Sequence, residues 1–265
     1  MQKTKEFDQT HGFFSAKRID DIAMLRFNKK FLFSATDLNV KGSLFDYLEL
    51  ISKTDEIKVV LIMGSPHKTG CEEYIEFYPK AFEIKFGQYA IERLYNAVNQ
   101  FILKIVDLNK ILVHADSGEV ISLFLNVSLA CDYRIVADNT VFKNPCLELG
   151  LVPKGGGVFF LSKMLGRSKA LEVLLSEEDI PAQEAMRLGI VDKLVTADEL
   201  ENAALEIAQG FARKPGTTLE EVKRLLSYSM KDLADFLQLE NEVLLRIVTS
   251  QEFRKRLREC PHDGL

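Results

Sequence analysis

The stretch from Ser117 to Gly157, SGEVISLFLNVSLACDYRIVADNTVFKNPCLELGLVPKGGG, narrows the choice of folds more than any other part of the chain. Within it, Ser122 to Ala130 is apolar all round apart from Ser122, Asn126 and Ser128. A helix without a wet face has to lie inside a domain. Tyr133 to Val136 reads as a short buried strand ending at an Asp138-Asn139 turn, and Lys154-Gly155-Gly156-Gly157 reads as a packing corner that opens a helix. An interior helix, a strand and a tight corner in unbroken order predict an α/β domain.

The flanking segments supply its other layers. Phe13 to Arg18 and Ile22 to Phe27 predict an antiparallel hairpin about Asp20-Asp21. Leu44, Phe45, Leu48 and Ile51 mark one helix face, and Ile57 to Met63 is a continuous apolar run of buried-strand type ending at Gly64-Ser65-Pro66. Pro79 is expected to break any helix through Glu73 to Lys85. Ile91 to Val106 repeats as an amphipathic helix and Leu112 to Ala115 as the next strand. Asp116 or Glu119 is expected to cap the central helix, and His114, at the end of that strand, reads as a satisfied core residue. Further on, Ser168 reads as an N-cap, Pro181 as a helix start that Gly189 stops, and Thr196 with Glu199 and Thr217 with Glu220 as capping boxes. The last fifty or so residues carry a helical stripe through Leu233, Phe236, Leu237, Glu240, Leu244, Ile247 and Val248 toward Phe253, which either docks on neighbouring copies or folds back onto its own core.

Composition excludes several classes. A length of 265 residues with 47% hydrophobic content allows a sizeable core, and a net charge of −5 with no dense Lys/Arg block argues against nucleic acid as a partner. Cys71, Cys131, Cys146 and Cys260 are widely spaced without CxxC, which favours reduced thiols over a disulfide or zinc framework, with no metal site. The MQKTKEFDQTHG start lacks the apolar core of a signal peptide, and no apolar run approaches the ~20 residues of a membrane span, so a cytoplasmic protein with no membrane partner is expected.

From Leu129 to Val195, the phrases LACDYRIVADNTVFKNPCLELGLVPKGGG and LGRSKALEVLLSEEDIPAQEAMRLGIVDKLV resemble the enoyl-CoA hydratase/isomerase (crotonase) superfamily. The order of elements agrees from Phe13 to Val113 as well. The resemblance implies a superhelix of stacked ββα turns over residues 1–195 and a C-terminal helical trimerisation segment over 196–265, assembled as a homotrimer or dimer of trimers. It also implies an acyl-CoA substrate in fatty-acid metabolism, with coenzyme A as the carrier and no covalently bound cofactor.

By the same resemblance, two main-chain N–H groups polarise the thioester carbonyl: one at Cys71, after Gly70, and one at Leu123. Lys29 and Lys30 stand where the nucleotide end of coenzyme A is met. The departures concern the carboxylates. Ser122-Leu123-Phe124-Leu125-Asn126 replaces a glycine run and glutamate, and Cys146 follows Pro145 where a second glutamate is usual. Glu148, two residues on, shares a face with Cys146 if the segment is extended and is the candidate substitute. Two outcomes stay open: hydratase, isomerase or decarboxylase chemistry at an atypical site, or a non-catalytic paralogue that serves assembly or ligand sensing.

Overall fold

The computed structural model describes residues 6–28, 32, 38–64, 70–83 and 87–259, without the side chains of 38–40, 70–72 and 83, so Lys29 and Lys30 lie outside the described residues. Strands β1 (Gln9–Thr10), β2 (Phe14–Ile19) and β3 (Ile22–Phe27) are antiparallel, and the β2/β3 hairpin turns at Asp20 with a left-handed φ of 52°. Asp tolerates that region through its short polar side chain. Helix α1 (Leu38–Ser52) leads to β4 (Val59–Met63), and α2 (Gly70–Glu83) with α3 (Gly87–Asp107) leads to β5 (Ile111–Asp116). A short β6 (Glu119–Ile121) and α4 (Ser122–Ser128) then return to β7 (Tyr133–Ala137).

Next come β8 (Val141–Lys143), α5 (Pro145–Glu148), α6 (Gly157–Leu165), α7 (Arg167–Leu174), β9 (Ile180–Pro181) and α8 (Ala182–Leu188), which carry the chain to β10 (Lys193–Val195). Within the larger sheet every strand added after β3 lies parallel to its neighbour, giving a seven-stranded order β1-β2-β3-β4-β5-β7-β10. Parallel pairs need long crossovers, and the intervening helices supply them. The second sheet, β6-β8-β9, crosses beside α4. Helices α9 (Leu200–Ala212), α10 (Gly216–Ser227), α11 (Leu233–Val248) and α12 (Gln251–Glu259) complete the chain.

Alternation along β5 sorts the two layers. Ile111, Val113 and Ala115 pack with Leu200, Ala204 and Ala208 of α9, while Leu112 joins the larger core on the opposite face with Ile91, Leu123 and Leu237. The register is pinned because a slip by one residue would exchange these faces.

Several local expectations are corrected. Pro79 sits inside α2 without ending it. Tyr74, Phe77, Tyr78 and Ala81, at i, i+3, i+4 and i+7, are all buried, and that face outweighs the ~3 kcal/mol a helix-interior proline costs. α4 has Ile121 as its N-cap with no side-chain cap, because Asp116 ends β5 and Glu119 is held in β6. α7 starts at Arg167, so Ser168 is inside it, and Pro181 is the cap residue of α8. Neither α9 nor α10 has a side-chain cap; Thr196 Oγ1 donates to Glu199 Oε2 at 2.8 Å instead. The α11 stripe folds back: Leu233, Leu237, Leu244 and Val248 lie in the chain's own core.

Candidate active site

The N-terminus of α4 is where the crossover from β6 turns into the interior. Its first N–H groups, Leu123 among them, have no intrahelical acceptor. Leu123 is buried, and its side chain lies against the Lys154–Gly157 corner: a Cβ added to Gly155 would meet Leu123 Cδ1 at 3.4 Å. The bulk of the Leu123 side chain is therefore accommodated by a glycine elsewhere.

Asn126, one turn on, is buried and donates from Nδ2 to the Lys154 carbonyl at 2.9 Å. A Cβ at Gly157 would come within 2.5 Å of the Asn126 amide atoms, so Asn126 occupies the space that this glycine leaves. Its Oδ1 remains an acceptor. An amide can orient a water or a carbonyl but has no proton to exchange.

Lys154 is itself buried. Its Nζ donates to Glu240 Oε1 of α11 at 2.8 Å and to Asn99 Oδ1 of α3, and lies 5.9 Å from the centre of the Tyr95 ring. Burial pulls the Lys154 ammonium below its ordinary pKa and the Glu240 carboxylate pulls it back up. Glu240 also accepts from the N–H groups of Gly155, at 2.9 Å, and Gly156, at 3.0 Å. Both glycines have left-handed φ values, 96° and 74°, so the corner needs them.

Cys146 lies at the start of α5, fully buried. Its thiol donates to Asn144 Oδ1 at 2.7 Å and accepts from Ser122 Oγ at 3.8 Å. Burial pushes the thiol up to about 11, so it is neutral near pH 7 and is no base. Glu148 does not join it. Pro145–Glu148 is a helical turn rather than an extended segment, and its turn carries Glu148 out to solvent. Thus Cys146 meets α4 at Ser122, Leu123 and Asn126 lie on the same helix against the glycine corner, and Glu148 faces away.

Gly70 and Cys71 open α2, which packs on β6 and α5, so the Cys71 N–H is in a first turn with no intrahelical acceptor; the Cys71 side chain is outside the described residues. Beside α4 lies a pocket of about 400 Å³, counting its part open to solvent, lined by Ser122, Leu125, Asn126, Phe142, Asn144 and Leu161 among others. No group of metal-ligating side chains occurs among the described residues. No described helix is long and apolar enough to cross a membrane.

Sequence reasoning missed two groups and the pairing of two residues it had named separately. Lys154, Glu240 and Asn99 were invisible because Lys154 and Glu240 lie 86 positions apart, although a lysine in an apolar corner was a signal. Tyr74, Tyr78 and Tyr95 form a buried hydroxyl cluster, with Tyr78 Oη 3.4 Å from Tyr74 Oη and 3.2 Å from Tyr95 Oη; the i, i+4 pair in α2 was legible as a face. His114 and Asp116 approach to 3.5 Å at the end of β5. Burial pushes Asp116 up to about 7, while burial and then Arg134 push His114 down to about 4.

The likenesses to known proteins agree with this fold. The chain is 30% identical over 145 residues to a short-chain-enoyl-CoA hydratase of Clostridium acetobutylicum, covering 54% of this chain and 56% of that protein. It is 34% identical over 124 residues to a carnitinyl-CoA dehydratase of Proteus mirabilis, covering 47% and 48%. The chain thus spans about half the length of these curated relatives. A longer match, 21% identical over 238 residues and covering 89% and 90%, is to a trans-2-decenoyl-(acyl-carrier-protein) isomerase of Streptococcus mutans. Among solved structures, an enoyl-CoA hydratase from Bacillus halodurans superposes with a TM-score of 0.78 at 19% identity, over 94% of this chain and 100% of that one. An enoyl-CoA hydratase/isomerase from Xanthobacter autotrophicus Py2 gives 0.78 at 21% identity, over 97% and 95%. The family model described as enoyl-CoA hydratase/isomerase matches residues 21–259, nearly the whole chain, and the protein belongs to that family, the crotonase superfamily.

Proposed function

We propose that this chain binds an acyl-CoA thioester and polarises its carbonyl with main-chain N–H groups at the starts of α2 and α4, without a carboxylate at position 126 or 146. The observation that supports this reading is the α4 N-terminus: its first N–H groups have no intrahelical acceptor and no side-chain cap, and Ser122 and Asn126 line the pocket beside it. Preorganised donors of this kind each contribute roughly 2.7 to 4 kcal/mol to stabilising an enolate-like thioester. Hydration of a double bond needs groups that move a proton to and from water. The Asn126 amide and the Cys146 thiol, held near 11, do neither at neutral pH. Carbonyl polarisation and enolate stabilisation are therefore the chemistry supported, as in a decarboxylase whose enolate is protonated by solvent, acting in the cytoplasm in fatty-acid metabolism; an isomerase would need a proton-transfer group other than these two.

Thermal denaturation with a panel of CoA thioesters beside free CoA tests this. A thioester at ~100 times its dissociation constant adds about 2.7 kcal/mol of stability. Stabilisation by thioesters above that by CoA is expected, and no response to any thioester overturns the reading.

A second reading, a non-catalytic member that serves assembly or ligand sensing, is favoured by one observation. The buried Cys146 thiol is already occupied by Asn144 and Ser122. Self-association as a homotrimer or dimer of trimers fits either reading, since Leu225, Leu226 and Tyr228 on and after α10 are largely exposed. Sedimentation showing only monomer at micromolar concentration would remove it.

A further inference from the structure

The three buried phenols of α2 and α3 do not balance their protons. Tyr78 donates to Tyr74, so its single O–H is used; the Tyr78–Tyr95 contact must then be donated by Tyr95. Tyr74 is left with its own O–H and no acceptor among the described residues. Tyr74 is only 3% exposed, and an unspent hydroxyl in such a place is costly unless something else comes to meet it.

The surroundings say where that partner would sit. Tyr74 lies three residues beyond Cys71 in α2, and α2 packs on α5, which carries Cys146. The Tyr74 ring stands edge-on to Tyr78 at 5.5 Å, and Tyr78 edge-on to Phe253 of α12 at 5.6 Å, so the hydroxyls are held by packed rings. In a chain of hydrogen bonds each donor strengthens the next, so the terminal O–H of Tyr74 is the strongest donor of the three.

We propose that Tyr74, backed by Tyr78 and Tyr95, hydrogen-bonds an oxygen on the acyl group, and that the substrate class is therefore an oxygen-bearing acyl thioester rather than a plain hydrocarbon one. This rests on the acyl-CoA reading above: an acyl group whose thioester is held at Cys71 N–H meets Tyr74 one helical turn further on. A hydrocarbon chain there would leave the phenol desolvated and unpaired. A keto or hydroxyl oxygen satisfies it, and a site built this way rejects the analogue that lacks the oxygen.

Calorimetric titration of the full chain with acetoacetyl-CoA and butyryl-CoA, equal in carbon count and different by one keto oxygen, tests this. The wild type should bind acetoacetyl-CoA about tenfold more tightly. Tyr74→Phe should lose that preference, by weaker binding of acetoacetyl-CoA and equal or tighter binding of butyryl-CoA, and Tyr78→Phe, which leaves the Tyr74 hydroxyl in place, should lose only part of it. Equal affinities in the wild type, or a preference that survives in Tyr74→Phe, overturn the assignment and leave thioester binding standing. Failure of the wild type to bind either thioester overturns both. If Tyr74→Phe does not fold, Tyr78→Phe decides: an undiminished preference counts against the proposal.

Discussion

Of the three lysines buried among the described residues, Lys110, Lys154 and Lys223, the first two lie in opposite surroundings. Lys154, 3% exposed, has its ammonium held by Glu240 and Asn99 with the Tyr95 ring nearby. Lys110, 2% exposed and just before β5, has an Nζ with no hydrogen-bond acceptor among the described residues, only the half-exposed Glu220 carboxylate at 3.7 Å. Burial of a charge is thus no sign of a role by itself. What separates the two is whether the neighbours have been arranged around the charge, and only the Lys154 neighbours reach the candidate site through Asn126.

The largest expected effect comes from unpairing the arranged lysine. Glu240→Gln leaves Lys154 charged and buried and should cost about 3 to 5 kcal/mol in urea unfolding. A loss below ~1 kcal/mol would erase the contrast. Gly157→Ala strikes the same corner by steric means, since its methyl meets the Asn126 amide at 2.5 Å. Forced repacking of this kind costs roughly 1 to 3 kcal/mol, read in the same unfolding experiment.

His114 and Asp116 extend the comparison to a pair whose protons compensate. Asp116, raised from 3.8 to about 7, contributes stability that is present below pH 3.8 and lost as pH rises through 7; His114, lowered from 6.5 to about 4, contributes stability present above pH 6.5 and lost as pH falls through 4. Between about pH 4 and 6.5 these slopes oppose each other, and the pair holds one proton throughout. Relative to wild type, Asp116→Asn should gain stability, on the order of 1 kcal/mol, as pH rises across that window, and His114→Gln should lose it. Parallel pH curves for all three proteins would show that the pair is not coupled to folding.

The smallest effect, and of opposite sign, is expected at Lys110. Lys110→Met replaces an unpaired buried ammonium by an apolar chain of similar length and should be neutral or stabilising by up to ~1 kcal/mol in urea unfolding. A clear loss would mean that Glu220 satisfies Lys110 better than a separation of 3.7 Å indicates.

How much was legible in the sequence follows from the range of each interaction. The hairpin, the run from Ile57 to Met63 and the interior character of α4 were readable because period and polarity are local. α2 was misjudged because a single proline was weighed above four aromatic or small residues at helical spacing. Glu148 was misplaced because a four-residue helix looks like any other short segment, yet rotates its side chains by a different period. The resemblance pointed to Leu123, Asn126 and Cys146; in the structure Asn126 meets the Lys154 carbonyl and Cys146 meets Ser122 and Asn144. Nothing local announces that Glu240 meets Gly155, or that Tyr95 completes the phenols of α2; such contacts exist only once the helices have docked.

The grip of Glu240 on the Gly155 and Gly156 amides has a consequence for biosynthesis. A nascent chain emerges from its amino end, so the glycine bend is exposed long before the residue that locks it has been translated. Until then Lys154 has no counter-ion from α11 and has every reason to stay hydrated outside. The middle of the polypeptide must wait for its tail, and a ribosome that stops short of α11 releases a product with an unfinished centre.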